Sequence, residues 1–217
     1  MTLTSLNLWA DEEQRIHECL KEALRQLVAE QSVLSTDEEK VVTGKLRPFI
    51  NRVKKHNRLN WTFHPESSSF EKEDDPESVG HPDIRFSRHD TEYNQYDYDV
   101  ECKLIRVKRP DAKTDYCYNY VKKGVLRYHS EKYAQSSPAM GTMLGYIQAG
   151  DIPSLFKTIK QKIRYQQKKR RGLNMIKLNG KFKDGDISQL TQYLRRGTDD
   201  FELFHIWADF RDESCKL

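Results

Sequence analysis

Tyr98-Asp-Val-Glu-Cys-Lys-Leu-Ile105 is the stretch from which the rest of the chain is read. It is rich in β-formers and alternates in polarity, which predicts a strand. Side chains on a strand point to opposite faces in turn, so Asp99, Glu101 and Lys103 share one face. Tyr98, Val100, Cys102 and Leu104 share the other and can pack into a core. Eighteen residues before Glu101 stands Pro82-Asp83, within Gly80-His-Pro-Asp-Ile-Arg-Phe86, which reads as a turn leading into a neighbouring strand. Two carboxylates with a lysine beside them are what metal-assisted phosphodiester cleavage needs. The carboxylates bind a hard cation through oxygen, and the lysine puts positive charge near the scissile phosphate. Taken alone, Asp-x-Glu-x-Lys is also what a solvated strand face with cross-strand charge pairs shows.

Pro82-Asp83 … Glu101-x-Lys103 resembles the signature of the PD-(D/E)XK, or restriction-endonuclease-like, nucleases. The order of elements resembles that superfamily too: an Asp83 strand, a polar turn over Thr91–Asp97, then the Glu/Lys strand. By pattern of elements the resemblance spans roughly residues 36 to 210, and by motif only the central part. It implies Asp83, Glu101 and Lys103 as catalytic residues. It implies one or two Mg²⁺ (or Mn²⁺) ions held by Asp83, Glu101 and the main-chain carbonyl of Cys102. In this superfamily a helix before the first strand sometimes offers one more acid, a feature that Glu38 and Glu39 resemble; acids at a helix start are explained equally well by the helix dipole. A helix flanking the site follows the Glu/Lys strand, and Arg127 there could hold a phosphate or brace a carboxylate, or be a plain surface arginine. The fold class implied is α/β: a restriction-endonuclease-like core with a central mixed β-sheet flanked by helices. An N-terminal helical extension, residues 1–34, precedes a nuclease-like domain, residues 35–217.

With 217 residues the chain can build one α/β domain with a sizeable core, or one domain with an appendage. Its net charge is only +4, but the distribution is uneven. Residues 71–77 are acidic, whereas residues 152–183 hold no Asp or Glu and carry Lys160, Arg164, Lys168, Lys169, Arg170 and Arg171 among others. A one-sided basic segment is the footprint of phosphate contact, so these residues are expected to bind nucleic acid, DNA favoured. The four cysteines form no CxxC pair, which fits a reduced intracellular protein. No zinc-finger spacing occurs, and His81 is read as a packing or hydrogen-bonding residue. No run long enough for a membrane span or signal sequence is seen, so a cytoplasmic protein without membrane contact is expected.

Along the chain, residues 10–33 predict a helix with Ile16, Leu20, Leu24 and Leu27 on one face. A second helix is expected from Ser35-Thr-Asp-Glu-Glu39 with Ser35 or Thr36 as cap. Leu59–Pro65 predicts a strand, Asp115–Lys132 a helix interrupted by Gly124, Gly141–Ile147 a buried strand, and Asp151 or Ser154 the start of the basic helix. Leu173–Ile187 reads as irregular, Ile187–Leu194 as a short helix, and Phe201–Phe210 as a last strand apolar on both faces with His205 packed inside. Asp99 is expected as a strand-end residue rather than an outer-shell group.

The function expected is that of a metal-dependent endonuclease. The general appearance resembles small nuclease effectors of bacterial anti-phage defence, which implies control by a partner (ATPase, helicase or sensor), because the chain carries no GxxxxGK[ST] motif of its own. A homodimer is compatible with this. The alternatives are a catalytically silent nucleic-acid-binding module, using the basic segment with Tyr165 or Tyr193, and a protein-interaction subunit docking through the N-terminal helix.

Overall fold

The computed structural model describes residues 3–65, 82–91, 94–107, 114–130, 140–178, 187–196 and 199–211. His81, the acidic 71–77 stretch, Lys181, Lys183 and Cys215 lie outside them. Two helices, α1 (Leu3–Ala29) and α2 (Glu39–His56), come first. The strands are β1 (Thr62–Pro65), β2 (Ile84–Thr91), β3 (Asn94–Arg106), β4 (Met140–Ala149), β5 (Lys177–Leu178), β6 (Ile187–Arg196) and β7 (Asp199–Asp209). They form one seven-stranded sheet in the order β1-β2-β3-β4-β7-β6-β5. Pairs β3–β4 and β4–β7 are parallel and the remaining pairs antiparallel. The protein is therefore α/β with a mixed sheet.

Alternation along β3 sorts its side chains as the sequence pattern requires. Tyr98, Val100, Cys102 and Leu104 join Ile16, Leu20, Leu24 of α1 and Leu46, Ile50 of α2 in one core. The other face is covered by α3 (Tyr116–Tyr120), a π-helical turn (Val121–Val125), α4 (Leu126–His129) and α5 (Ile152–Gln167), which pack on Met143, Ile147, Leu203 and Trp207. The apolar stripe of α1 is thus spent inside the shared core. That stripe is therefore not a free docking face.

Four further expectations are corrected. The helix start placed at Ser35 or Thr36 moves to Glu39, with Glu38 at the N-cap and no side-chain cap bond. Asp37 instead accepts the Leu34 N–H at 2.9 Å and pairs with Lys45 at 2.6 Å, which holds residues 34–37 in a turn. The polar stretch 91–97 is mostly strand, since β2 runs to Thr91 and β3 starts at Asn94. Ile187–Leu194 is not a helix but part of β6, paired along its length with β7. The reason is β7 itself: apolar on both faces, it is a central strand and needs a partner beyond β4. At Gly124 the nearest neighbours are side chains and not the backbone expected there: a Cβ would run into the Met143 side chain and approach that of Lys103.

His205 is fully buried and its Nδ1 lies 2.8 Å from the Tyr120 hydroxyl, as a packed residue should. Among the described residues no helix is long and apolar enough to cross a membrane. Gly145 marks the tightest packing of the central strands. A Cβ there would sit 2.5 Å from Ile105 Cδ1 and 2.6 Å from the indole Cδ1 of Trp207, and the ring has little room to turn. Gly145→Val is expected to lower the unfolding free energy by about 1–3 kcal/mol. An unchanged urea midpoint would show that the core yields more easily than this packing implies.

Candidate active site

The site forms where β2 runs out. The β2–β3 ladder ends at the Ile84–Val100 pair, so among the described residues β3 continues past Val100 with β4 on one side only. Its outward-facing main-chain groups then need other partners. The N–H of Cys102 donates to Asp83 Oδ2 at 2.6 Å, and the N–H of Leu104 donates to Glu39 Oε2 at 3.1 Å. Two carboxylates, one just ahead of β2 and one in the first turn of α2, are thereby fixed along the open edge of β3.

Lys103 gathers them. Its ammonium lies 2.7 Å from Glu101 Oε1, 2.9 Å from Glu39 Oε1 and 3.4 Å from Asp83 Oδ2, and donates to the Cys102 carbonyl at 2.6 Å. Asp83, Glu101, Lys103 and the Cys102 carbonyl, named from sequence, are all brought together. Of the two extra acids, Glu39 joins them. Glu38 is exposed at the N-cap of α2 and stays outside the cluster.

Glu101 is 1 % exposed. Arg127 reaches its Oε1 at 3.1 Å, while Oε2 is buried with no hydrogen-bond partner. Burial first, and the Asp83 charge second, push the Glu101 carboxyl up to about 8, against the opposing pull of Lys103 and Arg127. Burial alone would lower Lys103, but the charges of Glu101, Asp83 and Glu39 outweigh it and hold the ammonium well above the ordinary lysine range. Three acids thus share two cations, and the buried Glu101 carboxyl is the one that holds its proton up to about pH 8. Asp99 is not a strand-end residue: it lies mid-strand, 2 % exposed, and accepts from Arg85 Nε at 2.7 Å.

The flanking helix delivers Arg127. Asp115 opens it by accepting the Tyr118 N–H at 2.8 Å. The π-helical turn then adds a residue to the spacing, and Gly124 lets that turn settle onto Met143 close to Lys103. A cavity of about 180 Å³ opens beside the cluster, lined by Glu39, Lys103, Leu104, Tyr116, Asn119, Lys123 and Arg127. Lys123 and Asn119 were not singled out from the sequence. The available signal was the four-residue spacing of Lys123 and Arg127, which puts both on one side of a helix.

The basic residues sit apart from the carboxylates, on and just after α5. Arg164, Lys168, Lys169, Arg170 and Arg171 are exposed, and Lys160 lies over the Phe156 ring. The Arg171 carbonyl lies 2.9 Å from His129 Nε2, which ties the end of this segment to α4, the helix that carries Arg127.

The oxygens around Lys103 suit a hard divalent cation. They are three carboxylates and a carbonyl, already turned toward a positive charge, and Glu101 keeps one buried oxygen unpaired. Among the described residues no acidic, His or Cys side chains form a ready-made metal cage, because the carboxylates are spread around the ammonium. The chain matches no protein-family model, no curated protein and no solved structure, so its functional reading rests on this geometry.

Proposed function

We propose that the protein is a divalent-metal-dependent nuclease with a restriction-endonuclease-like core, cleaving phosphodiester bonds of nucleic acid, DNA favoured. The observation that carries this is the convergence of Asp83, Glu101, Glu39 and the Cys102 carbonyl on one cation at the open edge of β3. A Mg²⁺ or Mn²⁺ ion held by Asp83, Glu101 and the Cys102 carbonyl would polarise the phosphodiester and lower the pKa of a bound water. Glu39 adds a third carboxylate at the rim.

The protein's own groups supply the rest. Arg127 and Lys123, on the cavity wall, are placed to bind non-bridging phosphate oxygens, and Arg127 also braces Glu101. Lys103 offsets the negative charge that builds as water oxygen bonds to phosphorus and the P–O ester bond breaks. The burial of Glu101 keeps competing solvent from its carboxylate.

One observation favours a second reading. The acids are already paired with Lys103 as they stand, which is all that a silent binding module would require. Turnover separates the two. Plasmid, linear duplex and single-stranded DNA and RNA are incubated with Mg²⁺, with Mn²⁺ and with EDTA. Cleavage that depends on metal is the expected result. Salt-sensitive binding without cleavage under any metal would leave only the silent module.

A further inference from the structure

The α3 and α5 helices together present a ridge on which exposed aromatic rings alternate with lysines. Tyr118 is 38 % exposed and Tyr165 is 56 % exposed. Lys122 Nζ lies 5.4 Å and Lys162 Nζ 5.8 Å from the centre of the Tyr118 ring, and Lys169 Nζ lies 4.6 Å from the centre of the Tyr165 ring. Lys162 and Tyr165 are three residues apart on α5, hence on one side of it. The order across the ridge is therefore Lys122, Tyr118, Lys162, Tyr165, Lys169. Asp115 beside it pairs with Lys162 at 2.7 Å. The same helical run that carries Tyr118 and Lys122 turns Asn119, Lys123 and Arg127 into the cavity beside Lys103.

Tyr118 and Tyr165 each leave part of their rings exposed beside flexible lysines whose ammonium groups can move off the ring. Their faces suit flat partners, and their lysines suit an anionic backbone. A base in a duplex shows only its edges, whereas a base in a single strand offers its face. A purely electrostatic duplex site would need the lysines and not the rings.

We propose that this ridge binds single-stranded nucleic acid, with bases stacking on Tyr118 and Tyr165 and phosphates running along Lys122, Lys162 and Lys169. The strand leads over α3 toward the cavity lined by Lys123 and Arg127. This deepens the nuclease reading by naming the class of strand, and rests on it only for what happens to that strand afterwards.

The test is fluorescence anisotropy in EDTA with short labelled oligo(dT), oligo(rU) and a duplex of equal length. The single strands should bind more tightly than the duplex, and the stronger of dT and rU identifies the sugar preferred. Tyr165→Ala should weaken single-strand binding roughly fivefold or more and leave duplex binding unchanged, and Tyr165→Phe should restore it. Lys169→Gln should flatten the salt dependence. Tyr165 is exposed on α5, so its variants stand as the test even if Tyr118→Ala fails to fold. Equal or tighter duplex binding, unchanged affinity in Tyr165→Ala, or no binding at low salt would overturn the proposal. Cleavage confined to duplex would overturn it and leave the nuclease reading intact. Single-strand binding without metal-dependent cleavage would do the reverse.

Discussion

Asp83→Ala, Glu101→Ala and Lys103→Ala are each expected to lower metal-dependent cleavage by about 10³-fold or more, because each removes several kcal/mol of charge stabilisation from the reacting phosphate. The three losses should differ in kind. Asp83 and Glu101 both supply oxygens to one cation, so their loss should weaken metal affinity together with turnover. Lys103 competes with the metal for those oxygens. Lys103→Ala should therefore bind Mn²⁺ more tightly than the parent while losing turnover. Glu39→Ala should be milder, about tenfold, since Glu39 stands at the rim and also caps the Leu104 N–H. Glu38→Ala should change nothing. Calorimetric Mn²⁺ titration beside the cleavage assay reads both quantities. Full activity in any one of the first three variants would remove that residue from the site.

The second large effect concerns stability, and it comes from Glu101. Its carboxyl titrates near 8 in the folded protein against an ordinary value of 4.5. Below 4.5 the folded and unfolded chains both hold the proton. Between 4.5 and 8 the unfolded chain releases it while the folded chain retains it, so the folded state loses stability as pH rises. Above 8 the full cost is present, on the order of 4 kcal/mol. In EDTA, Glu101→Gln should therefore gain stability relative to the parent as pH rises from 5 to 9, by about that amount. Mg²⁺ should narrow the gap by binding the parent carboxylate. Urea denaturation at the two pH values measures this, and a gap that does not widen with pH would mean that Lys103 and Arg127 fully offset the desolvation.

The centre of the site was legible in the sequence because a strand leaves little freedom. Once Tyr98–Ile105 is read as a strand, Glu101 and Lys103 must share a face, and Pro82-Asp83 ahead of the neighbouring strand sets the second carboxylate. Which extra acid joins was not legible, because it depends on where α2 begins. The turn held by Asp37 delays that start to Glu39, and a shift of one residue rotates an acid on a helix by about 100°. The four-residue spacing puts Lys123 on the side of the helix that carries Arg127, but which side faces the site depends on how the flanking helix packs on β3 and β4. The Tyr118–Tyr165 ridge needs α3 packed beside α5, a contact that no local pattern encodes. Leu190 and Leu194 are spaced like a helix face, yet pairing with β7 holds β6 extended.

Anomalous diffraction from crystals soaked in Mn²⁺ would show whether the oxygens now gathered on Lys103 can hold a divalent ion. The expected result is a peak bounded by Asp83, Glu101 and the Cys102 carbonyl, with the Lys103 ammonium moved off at least one carboxylate. A soaked crystal with no peak there, and with Lys103 still bound to Glu101 and Glu39, would contradict it.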